Sequence, residues 1–283
     1  MKAFFILLIL LASIWASPPI DNPNGLPIIF IHGIGDGSQV WTRVFLKLEL
    51  KADDISRIQF QSRHYYKIDI PKESDRNIWV IGYYTPDFIE EALMGNLTLY
   101  ANRLTWAIDE IKYRAKKDQV IIVAHSMGGL VVRKYMTLSR KNWQSVAHLI
   151  TLGTPNEGVQ TSIPVVGQLR DLFTGSAFLN QLDQDWENML ADQELSWCAI
   201  AAVRPRLGVT GLTENMTDLA GPGYVTLQSA FTQEEWRSML VEEPGVWQPG
   251  QNIFTYKLLL VDDHVGMIRN PKVEELFRHL IGR

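Results

Sequence analysis

The sequence predicts an α/β fold, a mostly parallel, doubly wound sheet with helices on both faces. Three observations carry that reading. Short continuous apolar runs, at 26–31, 78–84, 120–124 and 146–152, suit strands buried on both faces. Segments with apolar residues three and four apart alternate with those runs, and the order strand, helix, strand, helix argues for a parallel sheet. One junction, Val120 to Leu130, reads as strand, very tight turn and helix start, with Ser126 at the apex between small residues.

Taken in order, Met1-Lys2 is followed by an apolar run from Phe4 to Ala16 and then Ser17-Pro18-Pro19. A basic start, an apolar stretch and a small terminal residue read as a secretory signal peptide over residues 1–16. The run is short of the roughly 20 residues a spanning helix needs. Residues 17–283 then form one domain, placed outside the cell or in the secretory-pathway lumen. Leu26-Pro27-Ile28-Ile29-Phe30-Ile31 is the first strand, ending in the glycine-rich loop His32-Gly33-Ile34-Gly35-Asp36-Gly37. Several glycines there mean a backbone that turns tightly or approaches something closely. A phosphate cradle is excluded, since no Gly-Lys-Ser/Thr ending follows.

Residues 41–77 are mixed in pattern. Ile78 to Tyr84 is the next strand. A long helix follows, with Ile89, Leu93, Leu97, Tyr100, Leu104, Ile108 and Ile111 on one face, closing at Lys116-Lys117-Asp118. After the serine turn, Leu130 to Ser139 is helical and Val146 to Leu152 is a strand ending at Gly153-Thr154-Pro155. Residues 160–190 scatter apolar side chains among small and polar ones. They read either as a helical excursion packed on the core or as an apolar cap or lid over the serine. Trp197 to Val203 and Phe254 to Val261 are the last strands. Between them, 204–252 reads as long loops with a helix near Thr232–Trp236. Asp262-Asp263-His264-Val265-Gly266-Met267 leads to a C-terminal helix from Pro271, a favoured first helical residue.

Composition sets the limits. At 283 residues and 46% hydrophobic, the chain can bury a sizeable core. A net charge of −4 leaves no basic face, which argues against a nucleic-acid partner. Cys198 is the single cysteine and lies in an apolar run, so it reads as a buried, inert core residue. Two glycosylation sequons, Asn96-Leu97-Thr98 and Asn215-Met216-Thr217, fit a secretory route without deciding it.

Four patches together resemble the α/β-hydrolase family, and within it the secreted lipases and esterases. Ala124-His125-Ser126-Met127-Gly128 resembles the nucleophile elbow, with alanine in place of the first glycine. His32-Gly33-Ile34-Gly35 resembles the oxyanion loop. Thr151-Leu152-Gly153-Thr154-Pro155 resembles the segment closing the strand after the elbow, and Asp263-His264-Val265-Gly266 the loop carrying the histidine. Each patch ends an expected strand, and the four stand in the family's order.

The resemblance implies a catalytic triad. Ser126 is the nucleophile, which needs a base within hydrogen-bond reach, and His264 is that base. The acid, which fixes the tautomer of the histidine, is open among carboxylates. The resemblance expects Asp-Gly ahead of an apolar-Val pair, but the matching place reads Gly221-Pro222-Gly223-Tyr224-Val225. Asp218 keeps the order Ser, Asp, His and is the first choice, and Glu214 is second. Asp262 and Asp263 adjoin the histidine and read as residues that shape its loop. Backbone N–H groups of Ile34 and Met127 form the oxyanion hole. The activity implied is hydrolysis of carboxylic esters of lipids through an acyl-enzyme, as a lipase or carboxylesterase. An acyl-protein thioesterase, a lipid acyltransferase of the same fold and a non-catalytic binding protein are the alternatives. No cofactor is expected. The partner is a lipid or acyl ester, with transient contact with a lipid surface; calcium at Asp262 and Asp263, and the oligomeric state, stay open.

Overall fold

The computed structural model describes residues 18–72, 77–87, 91, 94–161, 167–203, 223–224, 244–250 and 254–283. Its elements are β1 (Ile28–Ile31), α1 (Thr42–Lys47), β2 (Ile55–Phe60), β3 (Tyr66–Asp69), β4 (Ile78–Gly82), α2 (Leu97–Ala115), β5 (Val120–His125), α3 (Met127–Thr137), α4 (Arg140–Gln144), β6 (Val146–Leu152), β7 (Gln160–Thr161), α5 (Gln168–Leu172), α6 (Ala177–Leu190), β8 (Ser196–Val203), β9 (Gly223–Tyr224), β10 (Trp247–Pro249), β11 (Tyr256–Val261) and α7 (Pro271–Ile281).

Nine strands form one sheet in the order β10-β11-β8-β6-β5-β1-β4-β2-β3. The seven from β11 to β2 are parallel to their neighbours, and β10 and β3 close the two edges antiparallel. This is the α/β-hydrolase fold that the resemblance implies. The apolar runs become β1, β4 and β5, each buried at every residue, because helices cover both faces. Alternate residues feed two cores. Ile29, Ile31, Trp79, Ile81, Ile122 and Ala124 face α2, α3 and α6. Ile28, Phe30, Val80, Ile121 and Val123 face α1 and α7. Cys198 is fully buried in the second core, and burial raises its thiol pKa well above the ordinary value.

Three regions differ from, or refine, the sequence pattern. The unread stretch 41–77 holds α1, β2 and β3. Its strands lie toward the sheet edge; β2 leaves Arg57 and Gln59 half-buried and β3 alternates half-buried with exposed residues, so the charged side chains of Arg57 and Lys67 obscure the run. The helix expected from Ile89 is divided: Glu91 and Met94 are helical, and α2 starts afresh at Leu97, where Asn96 in extended conformation caps it by accepting the Leu99 N–H; Ile89 and Leu93 lie outside the described residues. In 160–190, α6 packs on α3 with Leu179, Leu182 and Trp186 in the core. Arg133 of α3, buried, donates to Asp183 at 2.9 Å and sits 4.8 Å from the Trp186 ring. That part is a layer of the fold. Residues 162–166, the expected signal peptide and the expected helix at 232–236 lie outside the described residues.

Candidate active site

Ser126 and His264 follow the C-terminal ends of β5 and β11 in one parallel sheet, where open α/β sheets carry their sites; neither ring nitrogen of His264 has a hydrogen-bond partner among the described residues. Ser126 follows β5 with φ 56° and ψ −131° and heads α3. A non-glycine residue there is strained, and surrounding contacts must hold it. The Ser126 N–H donates to the Leu152 carbonyl at 2.9 Å. Its own carbonyl accepts the Gly129 N–H and the Thr154 hydroxyl, each at 3.0 Å. Sterics complete the clamp. A Cβ on Gly33 would stand 2.8 Å from the Ser126 Cβ, and one on Gly128 would stand 2.4 Å from the His32 carbonyl oxygen. What occupies the space is the glycine-rich loop, lying directly on the turn.

That loop is itself braced. The ring of His32 is buried and its Nδ1–H donates to the Gly33 carbonyl at 2.8 Å; the carbonyl can only accept, so the proton is on Nδ1. The ring stacks on Tyr83 with centroids 4.0 Å apart, and the Tyr83 hydroxyl donates to the His32 carbonyl at 3.0 Å. Arg103 of α2 in turn donates to the Tyr83 carbonyl at 2.8 Å and pairs with buried Glu91 at 2.6 Å. Burial lowers the His32 pKa to about 4, so the ring stays neutral. Ile34 continues this loop past Gly33, and Met127 is the first residue of α3. The two candidate oxyanion donors thus belong to the two segments that meet at Ser126.

His264 follows β11, two strands from β6 in the sheet. Its ring lies against Gly153, where φ is +59° and a Cβ would stand 2.9 Å from Nδ1. Leu152 and Gly153 are therefore the shared floor: the first takes the Ser126 N–H and the second meets the His264 ring. Burial, and then the neighbouring His125, lower the His264 pKa to about 3, while Asp263 works in the opposite direction. His125 touches the base segment directly. Its Nε2–H donates to the His264 carbonyl at 2.9 Å, and the two rings lie 4.8 Å apart.

The adjoining carboxylates are engaged within their own loop. Asp263 Oδ1 accepts the N–H groups of Val265 at 3.0 Å and Gly266 at 2.5 Å. Asp262 accepts the Asp263 N–H at 2.9 Å and the Asn270 amide at 3.0 Å. Asp218, Glu214 and Pro222 lie outside the described residues. Sequence reasoning missed the Tyr83–Arg103–Glu91 brace. One signal was available: Arg103 stands on the apolar stripe of α2 beside Tyr100, Leu104 and Ala107, where a charge needs a buried partner.

Fold and site geometry define an α/β-hydrolase. The chain belongs to the PGAP1-like alpha/beta domain family, whose model it matches over residues 22–242. It is 32% identical over 157 residues to GPI inositol-deacylase B of Yarrowia lipolytica, covering 51% of this chain and 15% of that protein. It is 24% identical over 244 residues to GPI inositol-deacylase of Eremothecium gossypii, covering 80% of this chain and 21% of that protein. The chain thus spans about a fifth or less of the length of these relatives. The solved structure of the lin2722 gene product of Listeria innocua superposes with a TM-score of 0.56 at 15% identity, covering 91% of this chain and 94% of that one, a likeness of fold.

Proposed function

We propose that the protein is a serine esterase that cleaves a carboxylic ester of a lipid through an acyl-enzyme. The observation that carries the reading is Ser126 at φ 56° on a strand-to-helix turn, with the glycine loop on one side and the His264 ring across Gly153 on the other. In this reading the Ser126 Oγ attacks the ester carbonyl carbon while His264 takes its proton. The oxyanion forms against the Ile34 and Met127 N–H groups, each worth about 3 kcal/mol of barrier. His264 then gives the proton to the leaving alcohol, and water, deprotonated by His264, releases the acid. Asp218 is the proposed third member of the triad. The names of the relatives favour an acyl chain esterified to the inositol of a GPI lipid as substrate. The apolar signal-peptide pattern of residues 1–16 supports a place in the secretory lumen, as a single domain from residue 17. No helix among the described residues is long and apolar enough to cross a membrane.

A fluorophosphonate probe tests the reading. The folded protein becomes labelled at Ser126, and Ser126→Ala abolishes both labelling and hydrolysis of an acyl-inositol lipid, a loss of about 10⁶ in kcat by analogy with other serine hydrolases. A folded protein that is not labelled refutes the esterase assignment. Faster cleavage of an acyl thioester than of the acyl-inositol ester moves the activity to a thioesterase.

A further inference from the structure

We infer that His125 is a positioning residue, which sets the catalytic base by donating a hydrogen bond from its ring to the main chain of His264. The inference rests on the esterase reading above. His125 ends β5 and His264 follows β11, 139 residues further on. The bond between them joins the segment carrying the candidate nucleophile to the segment carrying the candidate base. The two carboxylates beside His264 accept bonds from groups within 262–270, which shapes the loop. The His125 bond ties that loop to the strand that ends at Ser126. It leaves from the residue adjoining Ser126 and lands on the backbone of His264 itself.

The chemistry of the contact fixes the state of the ring. A carbonyl oxygen only accepts, so Nε2 of His125 carries the proton. Nδ1 is fully buried with no hydrogen-bond partner among the described residues. Protonating it would bury an uncompensated charge beside a ring that must itself become cationic during turnover. His125 therefore stays neutral: burial lowers its pKa to about 4, partly offset by the bond to His264. A neutral donor can hold the base without opposing the imidazolium. A lysine or arginine at this position would hold the same carbonyl and repel the charge.

The test compares His125→Phe, which keeps a ring and loses the donor, with His125→Gln, whose amide nitrogen reaches the place of Nε2. His125→Phe should lower kcat and the rate of fluorophosphonate labelling roughly 10- to 100-fold, the cost of a base displaced by about 1 Å, with KM unchanged. His125→Gln should recover most of that loss. Ring ¹⁵N spectra of the wild-type protein should show His125 as the neutral Nε2–H tautomer at pH 7. A folded His125→Phe as fast as wild type overturns the inference, as do equal losses in the Phe and Gln variants. If neither variant folds, the spectra decide: an Nδ1–H or charged His125 overturns it, and the Nε2–H form upholds it. A wild-type protein that no fluorophosphonate labels refutes the esterase reading and this inference with it; a labelled wild type with an indifferent His125 refutes this inference alone.

Discussion

Ser126 and His264 stand at the ends of strands of one sheet, yet opposite means hold them. The serine is gripped mainly by backbone: a carbonyl of β6 on its N–H, the Gly129 N–H and the Thr154 hydroxyl on its own carbonyl, and the glycine loop against its Cβ. The histidine hangs on a loop shaped by its own aspartates, with one bond from His125 and a ring laid on Gly153. The contrast teaches that a strained turn can be held largely by close packing, whereas the ring proposed as its base is placed by a few specific contacts. Sterics tolerate no added atom; polar contacts respond to charge and pH.

Acid should reveal the largest difference. His32, His125 and His264 are all buried and neutral, with pKa values lowered by burial to about 4, 4 and 3 from an ordinary 6.5. Below pH 6.5 the unfolded chain binds protons at these rings that the folded chain refuses. The stability they permit is full above 6.5 and is lost as pH falls toward the folded values. The slope is about 1.4 kcal/mol per pH unit for each ring. His32 and His125 reach their limit near pH 4, while His264 continues toward 3. Urea midpoints measured from pH 7.5 down to 4 should fall steeply in this window. A flat profile would mean that the rings titrate freely and that elbow and base loop are equally open.

Two glycines sharpen the steric side. Gly153→Ala places a methyl against the His264 ring at a φ of +59°, so it should move the base. About 100-fold should be lost from kcat, with about 1–2 kcal/mol of stability. Gly128→Ala drives a methyl into the His32 carbonyl and should cost about 1–3 kcal/mol through overpacking. Paired urea titrations and kinetics separate them. If Gly128→Ala left both stability and labelling unchanged, the grip on the elbow would be looser than these contacts imply.

The same contrast explains what could be read from the sequence. The elbow and the glycine loop are local patterns of small residues beside buried strands, and Ser126, Gly33 and Gly128 show that requirement in the chain itself. The parallel sheet was visible because β1, β4 and β5 are apolar at nearly every position. β2 and β3 were not, since Arg57 and Gln59 interrupt the buried residues of β2 and the edge strand β3 has no buried residue. His264 was proposed from its place after the last strand, where the resemblance puts the histidine. What holds it was not legible, because the bond from His125 and the floor at Gly153 join residues more than a hundred positions apart. The Tyr83 and Arg103 brace behind the glycine loop joins residues 12 to 51 positions apart and left one signal, the charge of Arg103 on an apolar stripe. Asp218, chosen by order along the chain, has no such local pattern around it, and Pro222 stands where the family pattern expects the acid.

The smallest predicted effect probes the base loop alone. Asp263 does two things at once: its Oδ1 turns the loop through the N–H groups of Val265 and Gly266, and its charge raises the pKa of His264 against burial. Asp263→Asn separates them, since an asparagine oxygen still accepts both N–H groups while the charge is gone. The fold should keep its urea midpoint at pH 7.5. On the proposed mechanism the acid limb of kcat/KM follows His264 in the free enzyme and should move to lower pH, because the imidazolium has lost a stabilising neighbour. Nothing comparable is expected from Thr154→Val at the elbow, which removes a hydroxyl bond to Ser126 and no charge. A limb that stays in place would show that the charge of Asp263 does not reach His264.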